Sequence, residues 1–211
     1  MAGAAAVVTI VDFDMGNLRS VVNAFEAVGA RVSVTREPRD LRAASAVVLP
    51  GVGSFDGFQT LRRLNFVEAL NEEVLGRKKP YLGICLGLQF LGRQSFENGC
   101  QAGLGWIPGD VVRIEPADKE FKVPHIGWNN VQVRRPSLLF RGLGDEPVFY
   151  FVHSYHLAVD PDQAGCMTAT CWHGADVTAS IERENIFGVQ FHPEKSQEAG
   201  LGLLRNFLSV I

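Results

Sequence analysis

Cys85, His192 and Glu194 are the residues of this chain whose types and spacing are best suited to covalent chemistry. Cys85 is the centre of the sequence Gly-Ile-Cys-Leu-Gly, and His192 and Glu194 flank a proline far downstream. A free thiol is mostly protonated at neutral pH, but a nearby imidazole or a helix N-terminus favours the reactive thiolate. The three residues therefore predict a cysteine nucleophile, its base and the carboxylate that orients the base.

The segment around Cys85 has the pattern of a nucleophile elbow. Residues 80–84 predict a strand that runs into the cysteine, and residues 86–91 can begin a helix. This turn places the sulfur at the carboxyl edge of an α/β sheet, where ligands bind, and at a helix N-terminus, which favours the thiolate. Taken alone, the segment is also compatible with a buried structural cysteine in a glycine-rich strand end.

His192 and Glu194 follow an apolar strand predicted over residues 187–191, so they also lie at a strand end. Alternate residues of an extended chain face the same way, and Pro193 restricts the backbone between them. Glu194 would then hold one imidazole tautomer and stabilise the imidazolium. The alternative is that His192 is an exposed histidine in a loop.

An oxyanion hole requires backbone N–H groups, and two glycine-rich strand ends can supply them. Leu86 follows the nucleophile and provides one N–H group by the geometry of the elbow. A second can come from residues 50–54, Pro-Gly-Val-Gly-Ser, for which the alternative is a plain turn between a strand and a helix. The chain has no third glycine after Gly53 at the spacing of a dinucleotide fingerprint and no Gly-Lys-Ser/Thr, which argues against a nucleotide site.

The composition is that of an ordinary globular protein and excludes several classes. The 211 residues are 46% hydrophobic and 20% charged with a net charge of −3, so no broad surface for nucleic acid is expected. The four cysteines form no Cys-x-x-Cys pair, which argues against a zinc knuckle and a thioredoxin-like motif. So few cysteines in a chain of this length also argue against a disulfide framework. We expect no cofactor and no metal site, because His125, His153, His156 and His173 lack ligand spacing.

The N-terminal residues 1–8 are apolar but lack the basic start and the cleavage region of a signal peptide. No apolar stretch approaches the roughly 20 residues that span a bilayer. We therefore expect a cytoplasmic protein without a membrane partner, folded as a single domain over residues 1–211.

Strands and helices alternate in the first half of the chain. The pattern predicts a helix over residues 18–28, capped by Asn17 and ended by Gly29, and a helical region over residues 61–74. Such alternation predicts an α/β fold with a mostly parallel central sheet that is covered by helices on both faces. The predicted strands of this half are residues 7–11, 31–35, 46–49 and 80–84.

The second half is richer in strands, which predicts an additional antiparallel or mixed sheet rather than a detached domain. Helical spacing returns over residues 201–211. The predicted strands of this half are residues 110–114, 131–134, 148–152, 166–171, 177–181 and 187–191.

Residues 50–53, 83–87 and 191–194 resemble the class I, or triad, glutamine amidotransferase family in type, order and spacing. Members of that family have a three-layer fold and release ammonia from glutamine through a cysteinyl thioester. Residues 12–20, 124–129 and 151–155 are further similar to the glutaminase subunits of imidazole glycerol phosphate synthase, which act in histidine biosynthesis. Phe13-Asp14 stands where that family commonly has Tyr-Gly.

The resemblance implies roles for several further residues. Val52 or Gly53 would line the oxyanion hole together with Leu86. Gln89 and Glu97 match positions that hold the glutamine, and Ser154 and Tyr155 match a segment whose backbone meets the amino-acid end of the substrate. The alternatives are exposed polar residues for the first pair and a plain strand end for the second.

The resemblance also implies a protein partner, a separate cyclase subunit with a (β/α)8 barrel that uses the ammonia. Trp128, Tyr150 and Lys195 match positions near that subunit interface. Trp128 is otherwise a core aromatic residue and Lys195 a solvated lysine.

Three other functions remain open at this point. A glutaminase subunit for pyridoxal phosphate or anthranilate synthesis would share the triad, and differs only in the segments around Asn17, Trp128 and Tyr155. A catalytically inactive binding module on the same fold would not need an intact triad. A cysteine hydrolase or peptidase is disfavoured because the chain has no additional cleft-forming domain.

Overall fold

A parallel sheet forms the first half of the fold in the computed structural model, which describes residues 6–211. Residues 1–5, and with them most of the apolar N-terminal segment considered above, lie outside the described residues. The strands pair in the order β2-β1-β3-β4, all parallel. Their bounds are Val7–Val11 (β1), Arg31–Thr35 (β2), Ala46–Gly51 (β3) and Tyr81–Cys85 (β4).

The strands of the second half extend this sheet and form two smaller ones. Their bounds are Gln94–Ser95 (β5), Gln101–Ala102 (β6), Gly109–Arg113 (β7), His125–Asn130 (β8), Gln132–Val133 (β9), Val148–His153 (β10), Tyr155–Val159 (β11), Met167–Trp172 (β12), Asp176–Arg183 (β13) and Ile186–Val189 (β14). The main sheet has the order β2-β1-β3-β4-β14-β13-β12-β9. Strand β14 pairs with β4 in parallel, and the strands beyond it are antiparallel.

The two smaller sheets lie on the second half alone. Strands β8 and β10 form an antiparallel pair, and the other sheet has the order β11-β7-β5-β6 with β5 and β7 in parallel. The predicted α/β fold, with a mostly parallel central sheet and an additional mixed sheet, is confirmed.

The helices pack on both faces of the main sheet. Their bounds are Leu18–Ala27 (α1), Gly57–Arg63 (α2), Phe66–Leu70 (α3), Leu86–Gln89 (α4) and Gln197–Leu208 (α5), with 3-10 turns at Pro38–Ala43, Pro161–Cys166 and Pro193–Lys195 and a π-helical turn at Asn71–Gly76. Alternate residues of β3 show the layering. Ala46 and Val48 join the core that includes α1 and α5, whereas Val47 and Leu49 join the core that includes α2 and α3. Among the described residues, no helix is long and apolar enough to cross a membrane.

Three local predictions differ from the structure. Asn17 occupies the position before α1, but its side chain donates to Ser20 Oγ at 2.7 Å and does not cap the helix. The helical region over residues 61–74 is divided, because Asn65 has a left-handed φ of +59° between α2 and α3. The strand predicted at residues 131–134 is only two residues long, and the longer strand β8 precedes it.

Candidate active site

Cys85 ends strand β4 in a strained backbone conformation, with φ +53° and ψ −103°. A positive φ is uncommon outside glycine, and strained residues of this kind concentrate at functional sites. The strain is retained because β4 is buried between two parallel neighbours and α4 begins at the next residue. The sulfur therefore lies at the carboxyl edge of the sheet and at the start of a helix.

The glycines around Cys85 are required by close backbone contacts. A Cβ atom on Gly87 would lie 1.8 Å from the carbonyl oxygen of Leu49, and one on Gly83 would lie 2.4 Å from the carbonyl oxygen of Gly87. Either contact is far inside van der Waals distance. The sequence pattern of Cys85 thus follows from the packing of the elbow against β3.

His192 and Glu194 form a buried pair beside the elbow. His192 Nδ1 lies 2.8 Å from Glu194 Oε1, and both side chains are 2% exposed. A carboxylate can only accept, so Nδ1 carries the hydrogen. Among residues 6–211, His192 Nε2 has no hydrogen-bond partner, which leaves it available to the thiol and the substrate.

The backbone of His192 is held by its neighbours. Its N–H donates to the carbonyl oxygen of Tyr150 at 2.9 Å. The hydroxyl of the buried Ser196 donates to the carbonyl oxygen of His192 at 2.6 Å and accepts the N–H of Tyr150 at 3.0 Å. The imidazole is therefore fixed from both its side chain and its main chain.

The pKa of His192 is set by opposing effects. Burial alone lowers it, but the sulfur of Cys85 and then the carboxylate of Glu194 outweigh burial and raise the pKa to about 10. The imidazolium is therefore the dominant form at neutral pH. A thiolate beside an imidazolium is the reactive state of a cysteine nucleophile.

Gln190 is a site residue that the sequence patterns did not predict. It is fully buried, and its Nε2 donates to Cys85 Sγ at 3.6 Å. Its Oε1 accepts from Gln89 Nε2 at 3.2 Å, which fixes the amide so that its N–H groups are directed at the sulfur. Its position two residues before His192 places it on the same side of an extended chain, but that spacing alone does not indicate a contact with Cys85.

The predicted oxyanion donors differ in their availability. Leu86 begins α4, where the first N–H groups have no acceptor within the helix. The N–H of Val52 is donated to the carbonyl oxygen of Met15 at 2.9 Å and is therefore engaged away from the cavity. Gly53 has a left-handed φ of +101°. Asp14, the residue before Met15, also has a positive φ of +67°. The family commonly has glycine at this position, and glycine adopts a positive φ without strain.

A cavity of about 250 Å³ lies in front of Cys85. The residues predicted to bind glutamine or to stabilise an oxyanion all line it: Val52, Gly53, Leu86, Gln89, Glu97, Ser154 and Tyr155. Glu97 also holds the loop after β3, because its Oε2 accepts the N–H of Phe55 at 2.8 Å. The cavity therefore brings the Cys85 thiol together with a set of polar groups.

The predicted interface residues form a separate cluster. Trp128 lies opposite Tyr150 in the β8–β10 pair, with ring centroids 5.9 Å apart, and Lys195 Nζ is 5.8 Å from the ring of Tyr150. Trp128 is 50% exposed, so it is not a core aromatic residue. Two further apolar side chains of this pair, Ile126 and Val148, are also exposed.

The fold is that of a class I glutamine amidotransferase. The profile of the family described as "Glutamine amidotransferase class-I" matches residues 9–210. The chain belongs to this family, which confirms the resemblance drawn from its motifs.

Several curated relatives of this chain share one more specific name. "Imidazole glycerol phosphate synthase subunit HisH" of Moorella thermoacetica is 48% identical over 95% of this chain and 93% of the relative. The protein of the same name from Methanothermobacter thermautotrophicus is 47% identical over 97% and 98%. "Imidazole glycerol phosphate synthase subunit HisH 1" of Campylobacter jejuni is 43% identical over 95% and 98%. The similarity therefore covers nearly the full length of both chains in each pair.

Solved structures support the fold at lower identity. The structure of PurLQS from Thermotoga maritima has a TM-score of 0.75 at 18% identity, over 98% of this chain and 99% of that chain. A glutamine amidotransferase from Thermotoga maritima has a TM-score of 0.67 at 19% identity, over 98% of each chain. At this level of identity the likeness concerns the fold alone.

Proposed function

We propose that this chain is the glutaminase subunit of an imidazole glycerol phosphate synthase, in histidine biosynthesis. It hydrolyses glutamine to glutamate and ammonia, and a cyclase subunit uses the ammonia. The observation that carries the proposal is the arrangement of Cys85, His192 and Glu194 beside a polar cavity, in a chain that is 48% identical to a HisH subunit. We also propose that residues 1–211 act as one domain in the cytoplasm.

The first step forms a thioester and releases ammonia. The Cys85 thiolate attacks the side-chain amide carbon of glutamine, and the C=O electron pair moves to the oxygen. As that oxyanion collapses, the C–N bond breaks and the His192 imidazolium gives its Nε2 proton to the leaving nitrogen, so that ammonia departs. The Glu194 carboxylate, 2.8 Å from Nδ1, keeps the ring directed at the sulfur during the transfer.

The second step releases glutamate. His192, now neutral, takes a proton from water, and the hydroxide adds to the thioester carbonyl. The C–S bond then breaks, which restores the thiolate of Cys85 beside the imidazolium. The raised pKa of His192 suits a group that ends each turnover protonated.

Backbone N–H groups stabilise the two oxyanions in this proposal. Leu86 supplies one, and Val52 or Gly53 supplies the second. Because the Val52 N–H is donated to Met15 in this structure, it requires a rotation of its peptide before it can serve. Loss of one such donor typically costs about 10²- to 10³-fold in kcat, so this rotation would change the rate of glutamine hydrolysis.

The cavity residues hold the substrate in this proposal. Gln89 and Glu97 bind the glutamine, and the backbone of Ser154 and Tyr155 meets its amino-acid end. Their common position on the wall of the cavity in front of Cys85 supports this assignment.

The ammonia passes directly to the cyclase, because ammonia in neutral water becomes ammonium, which is not a nucleophile. The cyclase, a (β/α)8 barrel, then makes imidazole glycerol phosphate and an aminoimidazole carboxamide ribotide. Trp128, Tyr150 and Lys195 contribute to the interface. The exposed Trp128 packs edge-on against the half-buried Tyr150, and Trp and Tyr are enriched among the residues that dominate binding energy.

The test mixes this chain with the cyclase and its ribonucleotide substrate, glutamine labelled with ¹⁵N at the side-chain amide, and excess unlabelled ammonium salt. We expect the imidazole product to contain the label, because the transferred ammonia does not mix with the bulk pool. Unlabelled product would contradict direct transfer. No glutamine-dependent synthesis at all would contradict the pathway, and favour a glutaminase for pyridoxal phosphate or anthranilate synthesis.

A further inference from the structure

Two buried histidines beside the cavity have no part in the chemistry above. His125 on β8 is 3% exposed and His153 on β10 is 7% exposed. His125 Nδ1 lies 3.0 Å from His153 Nε2, so the rings form a direct hydrogen bond across the paired strands. A buried polar pair of this kind is costly unless its remaining nitrogen atoms also find partners.

The carbonyl oxygen of Tyr155 fixes the tautomer of His153. Its Nδ1 lies 2.8 Å from the carbonyl oxygen of Tyr155, which can only accept. Nδ1 therefore carries the hydrogen. Burial, opposed by the hydrogen bond to Tyr155, lowers the pKa of His153 to about 3, so the ring is neutral and its Nε2 is an acceptor.

The tautomer of His125 follows from that of His153. Because His153 Nε2 accepts, His125 Nδ1 donates. Burial, with a smaller contribution from His173 stacked on its ring, lowers the pKa of His125 to about 4, so its Nε2 is an acceptor as well. Asn129 Nδ2 lies 3.2 Å from that Nε2 and also donates to the carbonyl oxygen of Trp172 at 2.9 Å, which uses both of its hydrogen atoms.

The hydrogen-bond chain ends at the carbonyl oxygen of Tyr155, a residue that lines the cavity. The Tyr155 carbonyl oxygen also accepts from Gln89 Nε2 at 2.8 Å, so its two lone pairs serve His153 and Gln89. Gln89 in turn contacts Gln190, whose amide is directed at Cys85. The donors thus point one way, from Asn129 through the two imidazoles to Tyr155.

We propose that His125 and His153 are positioning residues: as a one-way hydrogen-bond chain that begins at Asn129, they fix the Tyr155 carbonyl and, through it, Gln89 in the cavity. The ligand of that cavity, glutamine, rests on the function proposed above. The direction of the chain does not rest on it. Asn129 is next to Trp128 on β8, so the chain begins on the strand that carries the proposed interface.

The tautomers of His125 and His153 test the direction of the hydrogen-bond chain. In long-range ¹H–¹⁵N spectra of the histidine-labelled wild-type protein at pH 7, we expect His125 and His153 to be protonated at Nδ1 alone. His173 should be protonated at Nε2, because that atom faces the carbonyl oxygen of Lys122 at 2.8 Å. The signals are assigned with single His→Gln variants. An Nε2-protonated or doubly protonated ring at either His125 or His153 would overturn the proposal.

One substitution, His153→Leu, tests its role in glutamine binding, measured as glutaminase KM and kcat with saturating cyclase. It removes the donor to the Tyr155 carbonyl oxygen. We expect it to raise KM about tenfold, which corresponds to the loss of one buried hydrogen bond, with a smaller change in kcat. His153→Asn, whose amide nitrogen can occupy the place of Nδ1, should restore KM to within about threefold of wild type.

The outcomes separate the two proposals. An unchanged KM in His153→Leu, or equal KM values for His153→Leu and His153→Asn, would contradict the positioning role. If the wild-type protein does not turn over glutamine, the proposed function fails, while the wild-type spectra still decide the direction of the chain. The spectra also decide it if a variant does not fold.

Discussion

The carbonyl oxygen of Tyr150 accepts the backbone N–H of His192 at 2.9 Å. The side chain of the same tyrosine lies between Trp128 and Lys195 on the proposed interface. A single residue of β10 therefore contacts both His192, the proposed base, and the surface where the cyclase is expected to bind. A partner that displaces Tyr150 would act on His192 directly, through the hydrogen bond between the Tyr150 carbonyl oxygen and the His192 N–H.

The raised pKa of His192 predicts a specific change in Glu194→Gln. The wild-type imidazolium is lost only as the pH approaches about 10, and with it the acid that protonates the leaving ammonia. Removing the negative charge lowers that pKa, so the alkaline limb of kcat/KM should move to lower pH by about one unit or more. We also expect kcat to fall by about 10²-fold or more, because the ring loses its orienting partner.

The measurement is the pH profile of kcat/KM for glutamine at saturating cyclase. Glu184→Gln is the matched control, since Glu184 is exposed and pairs with Lys78 at 2.8 Å, away from His192. A Glu194→Gln profile whose alkaline limb coincides with that of wild type would show that Glu194 does not set the charge of His192.

Gln190 should control the reactivity of Cys85. Gln190→Leu removes the N–H donor at 3.6 Å from the sulfur and leaves the thiolate with less stabilisation. We expect alkylation of Cys85 by iodoacetamide at neutral pH to slow by about tenfold, the value for one hydrogen bond to a charged group. Peptide mass mapping reports each cysteine separately, and the exposed Cys100 serves as the control within the same molecule. Equal slowing at both cysteines would instead indicate a general change in the protein or the reagent.

Gly87→Ala should destabilise the fold. The new Cβ would lie 1.8 Å from the carbonyl oxygen of Leu49, a backbone atom that cannot move without distorting β3. We expect a loss of about 3 kcal/mol or more in the free energy of unfolding, at the upper end for overpacked sites. Gly76→Ala is the control, because its nearest neighbour would be 3.8 Å away, and we expect a change within about 0.5 kcal/mol. Chemical denaturation of the two variants measures both values, and similar losses would contradict the close contact.

The parallel half of the fold could be predicted from the sequence because buried parallel strands appear as short, continuous apolar runs. Strand β8 could not, because its pattern is inverted. Ile126 and Trp128 face solvent at 59% and 50% exposure, while His125 is buried at 3%. A pattern with apolar residues outside and a histidine inside does not indicate a strand that packs on a core. The proposed partner surface on one side and the proposed histidine chain on the other account for it.

The triad could be proposed from residue types and spacing, but Gln190 could not. Its contact with Cys85 depends on the parallel register of β14 on β4, in which Val189 lies beside Ile84. That pairing joins residues far apart in the sequence, and no local pattern encodes it. The hydrogen bond from the Val52 N–H to the Met15 carbonyl oxygen also joins residues far apart in the sequence. The glycine-rich pattern of residues 50–54 therefore predicted a segment that could supply an oxyanion donor, but not the direction in which the Val52 N–H points.

The central claim is that Cys85 is the nucleophile that releases ammonia for the cyclase. The most direct measurement compares Cys85→Ala with wild type in the complex, once with glutamine and once with a high concentration of ammonium salt. We expect the variant to lose synthesis of imidazole glycerol phosphate from glutamine and to keep the wild-type rate with ammonium. Retention of the glutamine-dependent rate would contradict the nucleophile, and loss of both rates would mean that Cys85 serves folding or docking instead.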